Sequence, residues 1–70
     1  MSLIMNILLN NKSETLCDES TVQKLLETKN IKNTYFAVEI NRKIIPKSTH
    51  STHIIKDGDK IEIITAIGGG

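Results

Sequence analysis

The 70-residue chain closes on Ala66-Ile67-Gly68-Gly69-Gly70, directly after the β-patterned run KIEIIT. Three glycines have no helix to cap there and no turn to complete. Lacking Cβ atoms, they form an arm that extends or bends at little steric cost and passes through narrow openings. The expectation is a tail ending in a free carboxylate that is the working part of the molecule. A main-chain carboxylate is a poor electrophile, so its chemistry requires prior conversion to an acyl group with a good leaving group.

Other reactive residue types are sparse. Cys17 is the one cysteine, and its place in a strand pattern favours a small buried hydrophobe over a persulfide relay. His50 and His53 stand three apart in a Ser/Thr-rich stretch. Two histidines without further ligands fall short of a tetrahedral metal site, so they read as solvated loop residues and no metal site is expected. Asp57 and Asp59 flank Gly58 and read as turn chemistry. Arg42, Lys43 and Lys47 form a modest basic patch, read as solvated surface.

A net charge of +1 and two aromatics, Tyr35 and Phe36, give neither the basic stripe nor the stacking platform of a nucleic-acid binder. The single cysteine excludes an internal disulfide framework and fits a reducing compartment. No apolar run approaches the roughly 20 residues that span a bilayer, and the opening MSLIMNILLN lacks the features of a secretory signal. These features describe a soluble, cytoplasmic chain that binds neither nucleic acid nor membrane. At this length there is one small core and no room for a deep catalytic cleft.

The elements that must hold the tail follow from periodicity. LIMNILLN and SETLC, linked by Asn10-Asn11, predict a β-hairpin with Thr15 and Cys17 on one face and Glu14 and Leu16 on the other. Val22, Leu25 and Leu26 then switch to helical spacing, with Ser20 and Gln23 read as a capping box and Lys29-Asn30 as the end. TYFAVEIN, with Phe36, Val38 and Ile40 on one face, and KIIP predict a second hairpin interrupted at Asn41-Arg42-Lys43 and stopped by Pro46. KSTHSTH predicts a loop with one tight helical turn, and Asp57-Gly58 turns the chain into a last strand with Ile61 and Ile63 on one face. The order β-β-α-β-β-β, with the first and last runs apolar enough to lie side by side at the sheet centre, is that of an α+β ubiquitin-like β-grasp. A mixed sheet packs on one helix, residues 1–67 form a single domain, and residues 68–70 are a flexible glycine tail.

On TVQKLLETKN, FAVEINRKIIPKSTH and DGDKIEIITAIGGG the chain resembles the thiamine-pathway sulfur carriers (ThiS), a ubiquitin-like β-grasp family. The resemblance covers most of residues 21–70. It implies a protein co-substrate, not an enzyme, with no bound cofactor and a monomeric free form. A ThiF-like adenylating enzyme would consume ATP to convert the terminal carboxylate to an acyl-adenylate. A sulfur donor such as a cysteine desulfurase would then supply sulfur to form a thiocarboxylate. A ThiG-like thiazole synthase would use that sulfur to build the thiazole of thiamine. By resemblance Gly70 carries the sulfur, and Gly69, Gly68, Ile67 and Ala66 thread the partner's channel. The family chemistry needs two terminal glycines and this chain has three, which lengthens the arm and leaves the terminal pair intact. The alternatives are a carrier like the small subunit of molybdopterin synthase (MoaD), a modifier conjugated to lysines, and a non-carrier β-grasp interaction module.

Overall fold

In a computed structural model the described residues are 4–29 and 36–65. They form β1 (Ile4–Leu9), β2 (Lys12–Cys17), α1 (Val22–Thr28), β3 (Phe36–Ile40), β4 (Lys43–Ile45), one 3₁₀ turn (Lys47–Thr49) and β5 (Lys60–Thr65). The strands make one mixed sheet in the order β2-β1-β5-β3-β4. Strand β5 runs parallel to β1 and antiparallel to β3, so the first and last strands are central neighbours, as expected. Asn30, Tyr35 and the Ala66–Gly70 tail lie outside the described residues.

Each hairpin turns through two residues with positive φ, Asn10 and Asn11 in the first and Asn41 and Arg42 in the second. Positive φ at both central positions belongs to primed turns, whose twist matches that of the flanking strands. Asparagine tolerates this conformation well and arginine does not, so the second turn is the more strained.

The alternation of β1 places Met5, Ile7 and Leu9 inward. They join Leu16, Val38, Ile40 and Ile61 from the sheet, Ile55 from the preceding loop, and Val22, Leu25 and Leu26 from the helix in one core. Val22, Val38 and Ile61 are fully buried. A helix of seven residues is too short to persist alone, so its stability comes from that apolar stripe. The opposite face of the sheet is open, with Ile4, Leu8, Ile44 and Ile64 exposed.

The start of the helix differs from the expected capping box. Thr21 is the N-cap, its Oγ1 accepting from the Lys24 amide at 3.1 Å. Ser20 instead donates its hydroxyl to the Cys17 carbonyl at 2.7 Å, and Gln23 donates along the helix to Glu27 at 3.2 Å. Sequence spacing alone did not reveal that the loop after β4 supplies acceptors to this end. The Val22 amide donates to the His53 carbonyl at 3.0 Å and the Gln23 amide to the His50 carbonyl at 2.9 Å. Together with Thr21 they satisfy the first-turn amides that a helix otherwise leaves unpaired.

Replacing the true cap, Thr21→Ala, should cost about 1 kcal/mol, and Ser20→Ala should cost clearly less. Urea unfolding of the two variants checks this; the reverse order would restore Ser20 as the cap.

Candidate functional site

A terminal acyl group is only as well placed as the strand that leads to it, so the site begins where β5 is anchored. The Asp57-Gly58-Asp59 turn is fixed to β1 before the strand starts. Asp57 Oδ1 accepts from the Asn6 amide at 2.7 Å, and the Gly58 amide donates to the Asn6 carbonyl at 2.8 Å. Gly58 has φ of 86° and open space where a Cβ would stand, so the backbone conformation, not crowding, calls for glycine. Asp59 Oδ2 accepts from the Lys56 amide at 2.9 Å, while its Oδ1 accepts from Asn41 Nδ2 at 3.0 Å. Both aspartates therefore have the turn role read from the sequence.

Two asparagines then clamp the strand from opposite sides. Asn41 donates its amide to the Lys60 carbonyl at 2.8 Å and accepts the Lys60 amide on Oδ1 at 3.0 Å. On the other side, β1 leaves the sheet at the first hairpin turn while β5 continues. The Asn10 amide donates to the Ile61 carbonyl at 2.9 Å, and Asn10 Oδ1 accepts from the Ile63 amide at 2.9 Å. The carboxamide thus takes the place of the next strand carbonyl. Register with β3 runs on to Thr65, opposite Phe36. Sequence reading treated both asparagines as turn formers only; the missed signal is an asparagine at the same step of each hairpin, where a short carboxamide reaches the adjacent strand.

The tail positions, Ala66, Ile67, Gly68, Gly69 and Gly70, lie outside the described residues. The described part of the site is the platform from which they depart, ending at Thr65.

The remaining candidates are scattered. Cys17 is exposed, contrary to the buried reading, because Leu16 takes the inward position at that end of β2 and turns Cys17 to the outer face. His50 is 7% exposed and also departs from its expected solvated state. The 3₁₀ turn folds it inward, where Nε2 donates to the Ile45 carbonyl at 3.0 Å, making it a structural residue of the loop that caps the helix. His53 is half-buried, and Arg42, Lys43 and Lys47 are exposed. Among the described residues, no three His, Cys, Asp or Glu side chains converge as metal ligands, and no helix is long and apolar enough to cross a membrane.

Comparison with known proteins agrees with this architecture. The ThiS family model matches residues 5–70. The chain is 36% identical over 66 residues to a thiazole synthase of Paramagnetospirillum magneticum, covering 94% of this chain but only 20% of that protein. It is 35% identical over 66 residues to the sulfur carrier protein ThiS of Escherichia coli, covering 94% of this chain and 100% of that one. A crystal structure of the thiamine biosynthesis protein ThiS from Geobacter metallireducens superposes with a TM-score of 0.81 at 29% identity, over 94% of this chain and 100% of that one.

Asn10→Gly keeps the left-handed turn while deleting the carboxamide clamp. The expected result is a loss of about 1 kcal/mol and faster hydrogen exchange at the Ile63 amide, read by NMR. Unchanged exchange would show that the clamp does not hold the strand.

Proposed function

The chain belongs to the ThiS family, and on that premise we propose that it is the sulfur carrier for thiazole formation in thiamine biosynthesis. It is a protein co-substrate, with residues 1–67 as the handle and residues 68–70 as the reactive tail. The observation that carries the reading is a β-grasp platform whose central strand is bonded on both sides and leads into Ala66-Ile67-Gly68-Gly69-Gly70.

The chemistry assigns one role to the tail and the rest to partners. An oxygen of the Gly70 carboxylate attacks the α-phosphate of ATP on a ThiF-like adenylating enzyme, releasing pyrophosphate and leaving an acyl-adenylate. Sulfur from a desulfurase persulfide, brought to the sulfide level by a thiol reductant that ends as a disulfide, attacks the acyl carbon. AMP leaves with the former carboxylate oxygen, and the product is a thiocarboxylate. Its sulfur, a soft, strong nucleophile, attacks a carbon of the synthase's substrate; water then cleaves the acyl–sulfur bond, so the sulfur stays with the substrate and the carrier returns as the carboxylate. The P. magneticum thiazole synthase holds a segment similar to this chain within its own sequence, which favours a synthase as the receiving partner.

Glycine at positions 68, 69 and 70 serves entry into those active sites, since side chains there would meet the channel walls. Ordering the arm costs roughly 1–2 kcal/mol per residue of backbone entropy, which favours brief docking and release. Ala66 and Ile67 form the base of the arm at the channel mouth. The carrier works in the cytoplasm with its partners and is monomeric between encounters.

Incubation with the adenylating enzyme, ATP and a sulfide source should raise the intact mass by the exchange of one oxygen for sulfur. Deleting Gly70 should abolish that gain while leaving the melting temperature nearly unchanged. No gain in the full chain, with the enzyme active on another carrier, would count against the reading.

A further inference from the structure

At the end of the sheet where β5 begins lies a cleft of about 300 Å³. One wall is the end of the β3–β4 hairpin, with Asn41, Lys43 and Ile45. The other is the loop leading into β5, with His53, Ile54 and Lys56. This volume stands at the lower end of the range of small-molecule sites. From here β5 carries the chain about 17 Å before Thr65, so the cleft is no part of the platform from which the tail departs.

The walls are joined by hydrogen bonds. Asp59 lines the cleft and links its two sides: Oδ2 accepts from the Lys56 amide at 2.9 Å and Oδ1 from Asn41 Nδ2 at 3.0 Å. The loop wall is also tied to the helix start, where the His53 carbonyl accepts from the Val22 amide at 3.0 Å and Ile54 bridges to Thr21. None of these bonds uses the ammonium groups of Lys43 and Lys56.

The lining carries an excess of positive charge. Lys43 and Lys56 are exposed, and among the described residues neither ammonium has an ion-pair or hydrogen-bond partner. Asp59 is the one acidic residue of the lining. Arg42, between Asn41 and Lys43 at the hairpin tip, adds a third cation and has no such partner among the described residues either. Its φ is 70°, a conformation that strains a residue with a Cβ and that glycine adopts freely. Strain kept at a residue whose side chain makes no bond within the fold points to a use for that side chain outside it. Ile54, 51% exposed, and half-buried Ile45 supply an apolar wall beside these charges.

We propose that this cleft binds the phosphate monoester of a small organic molecule. The phosphate lies between the Lys43 and Lys56 ammonium groups, Arg42 closes over it from the hairpin tip, and the organic body rests on Ile45 and Ile54. Lysines act toward phosphate as point charges, and the arginine fork matches a pair of its oxygens. Three cations against Asp59 suit a dianion, whereas a carboxylate would leave part of the excess uncompensated. The site lies away from the tail and requires no partner enzyme, so it stands independently of the carrier reading.

The test is an NMR titration of the amide resonances of the full chain with AMP, with inorganic phosphate, and with adenosine, which is the same organic body without the phosphate. AMP should give saturable shifts at Asn41, Lys43, His53 and Lys56, inorganic phosphate weaker binding at the same amides, and adenosine none. Lys43→Gln and Lys56→Gln should each weaken AMP binding about threefold and the double variant about tenfold, and added salt should weaken binding to the wild type. Arg42→Gly should weaken AMP binding about threefold and raise the melting temperature, because glycine relieves the strained turn. That opposite response separates a ligand role from a structural one. Absence of saturable shifts with AMP, shifts confined to another surface, equal binding of adenosine, or unchanged affinity in the double lysine variant would each overturn the proposal. Inorganic phosphate binding as tightly as AMP would overturn the part given to the isoleucines, and unchanged AMP affinity in Arg42→Gly the part given to Arg42.

Discussion

The parallel pairing of Leu8 and Leu9 with Lys60 and Ile61 joins the two ends of the described chain, and the other elements are arranged around it. Contacts this distant in sequence are entropically costly to close. They persist because Met5, Ile7, Leu9 and Ile61 bury on one face beneath Val22, Leu25 and Leu26, each fully buried aliphatic side chain contributing about 1.5–3 kcal/mol. Once β1 and β5 are central, β2 follows β1 through a two-residue turn and β3 pairs on the free side of β5. The helix then has a single apolar surface to cover.

That constraint also explains how β5 is held. β1 pairs with β5 over only two residues before turning away, and the Asn10 carboxamide carries the bonding one step further to Ile63. Asn41 does the equivalent at the start of the strand, and Asp59 ties Asn41 to the turn. Under the carrier reading these polar contacts have a functional consequence. They fix the course of β5 as far as Thr65, the last described residue before the tail. The contribution of this protein is then positional, and the reaction chemistry belongs to its partners.

Much of this architecture was legible in the sequence because it rests on local signals. Alternation set the faces of β2, β3 and β5, helical spacing set the Val22–Leu25–Leu26 stripe, and Asn10-Asn11 and Asp57-Gly58 marked turns. What escaped were contacts made at long range. Ser20 and Thr21 are equivalent caps by composition, and the choice between them falls to the loop carrying His50 and His53, which docks on the helix start. The same docking buries His50, which its Ser/Thr-rich neighbourhood disguised. The exposure of Cys17 follows from the face pattern of β2, which sets it opposite Leu16 and outweighs the general preference of cysteine for burial. The tail stands out in the sequence by its glycine composition and by the family resemblance.

The most direct measurement is a single-turnover chase. The protein is loaded with isotopically labelled sulfur, freed of donor and ATP, and mixed with thiazole synthase and its other substrates. The account predicts that label appears in the thiazole product, up to one sulfur per chain, while the intact mass returns to that of the carboxylate. Retention of the label on the protein in the presence of an active synthase, or its loss as the tail becomes linked to lysine amines, would contradict it.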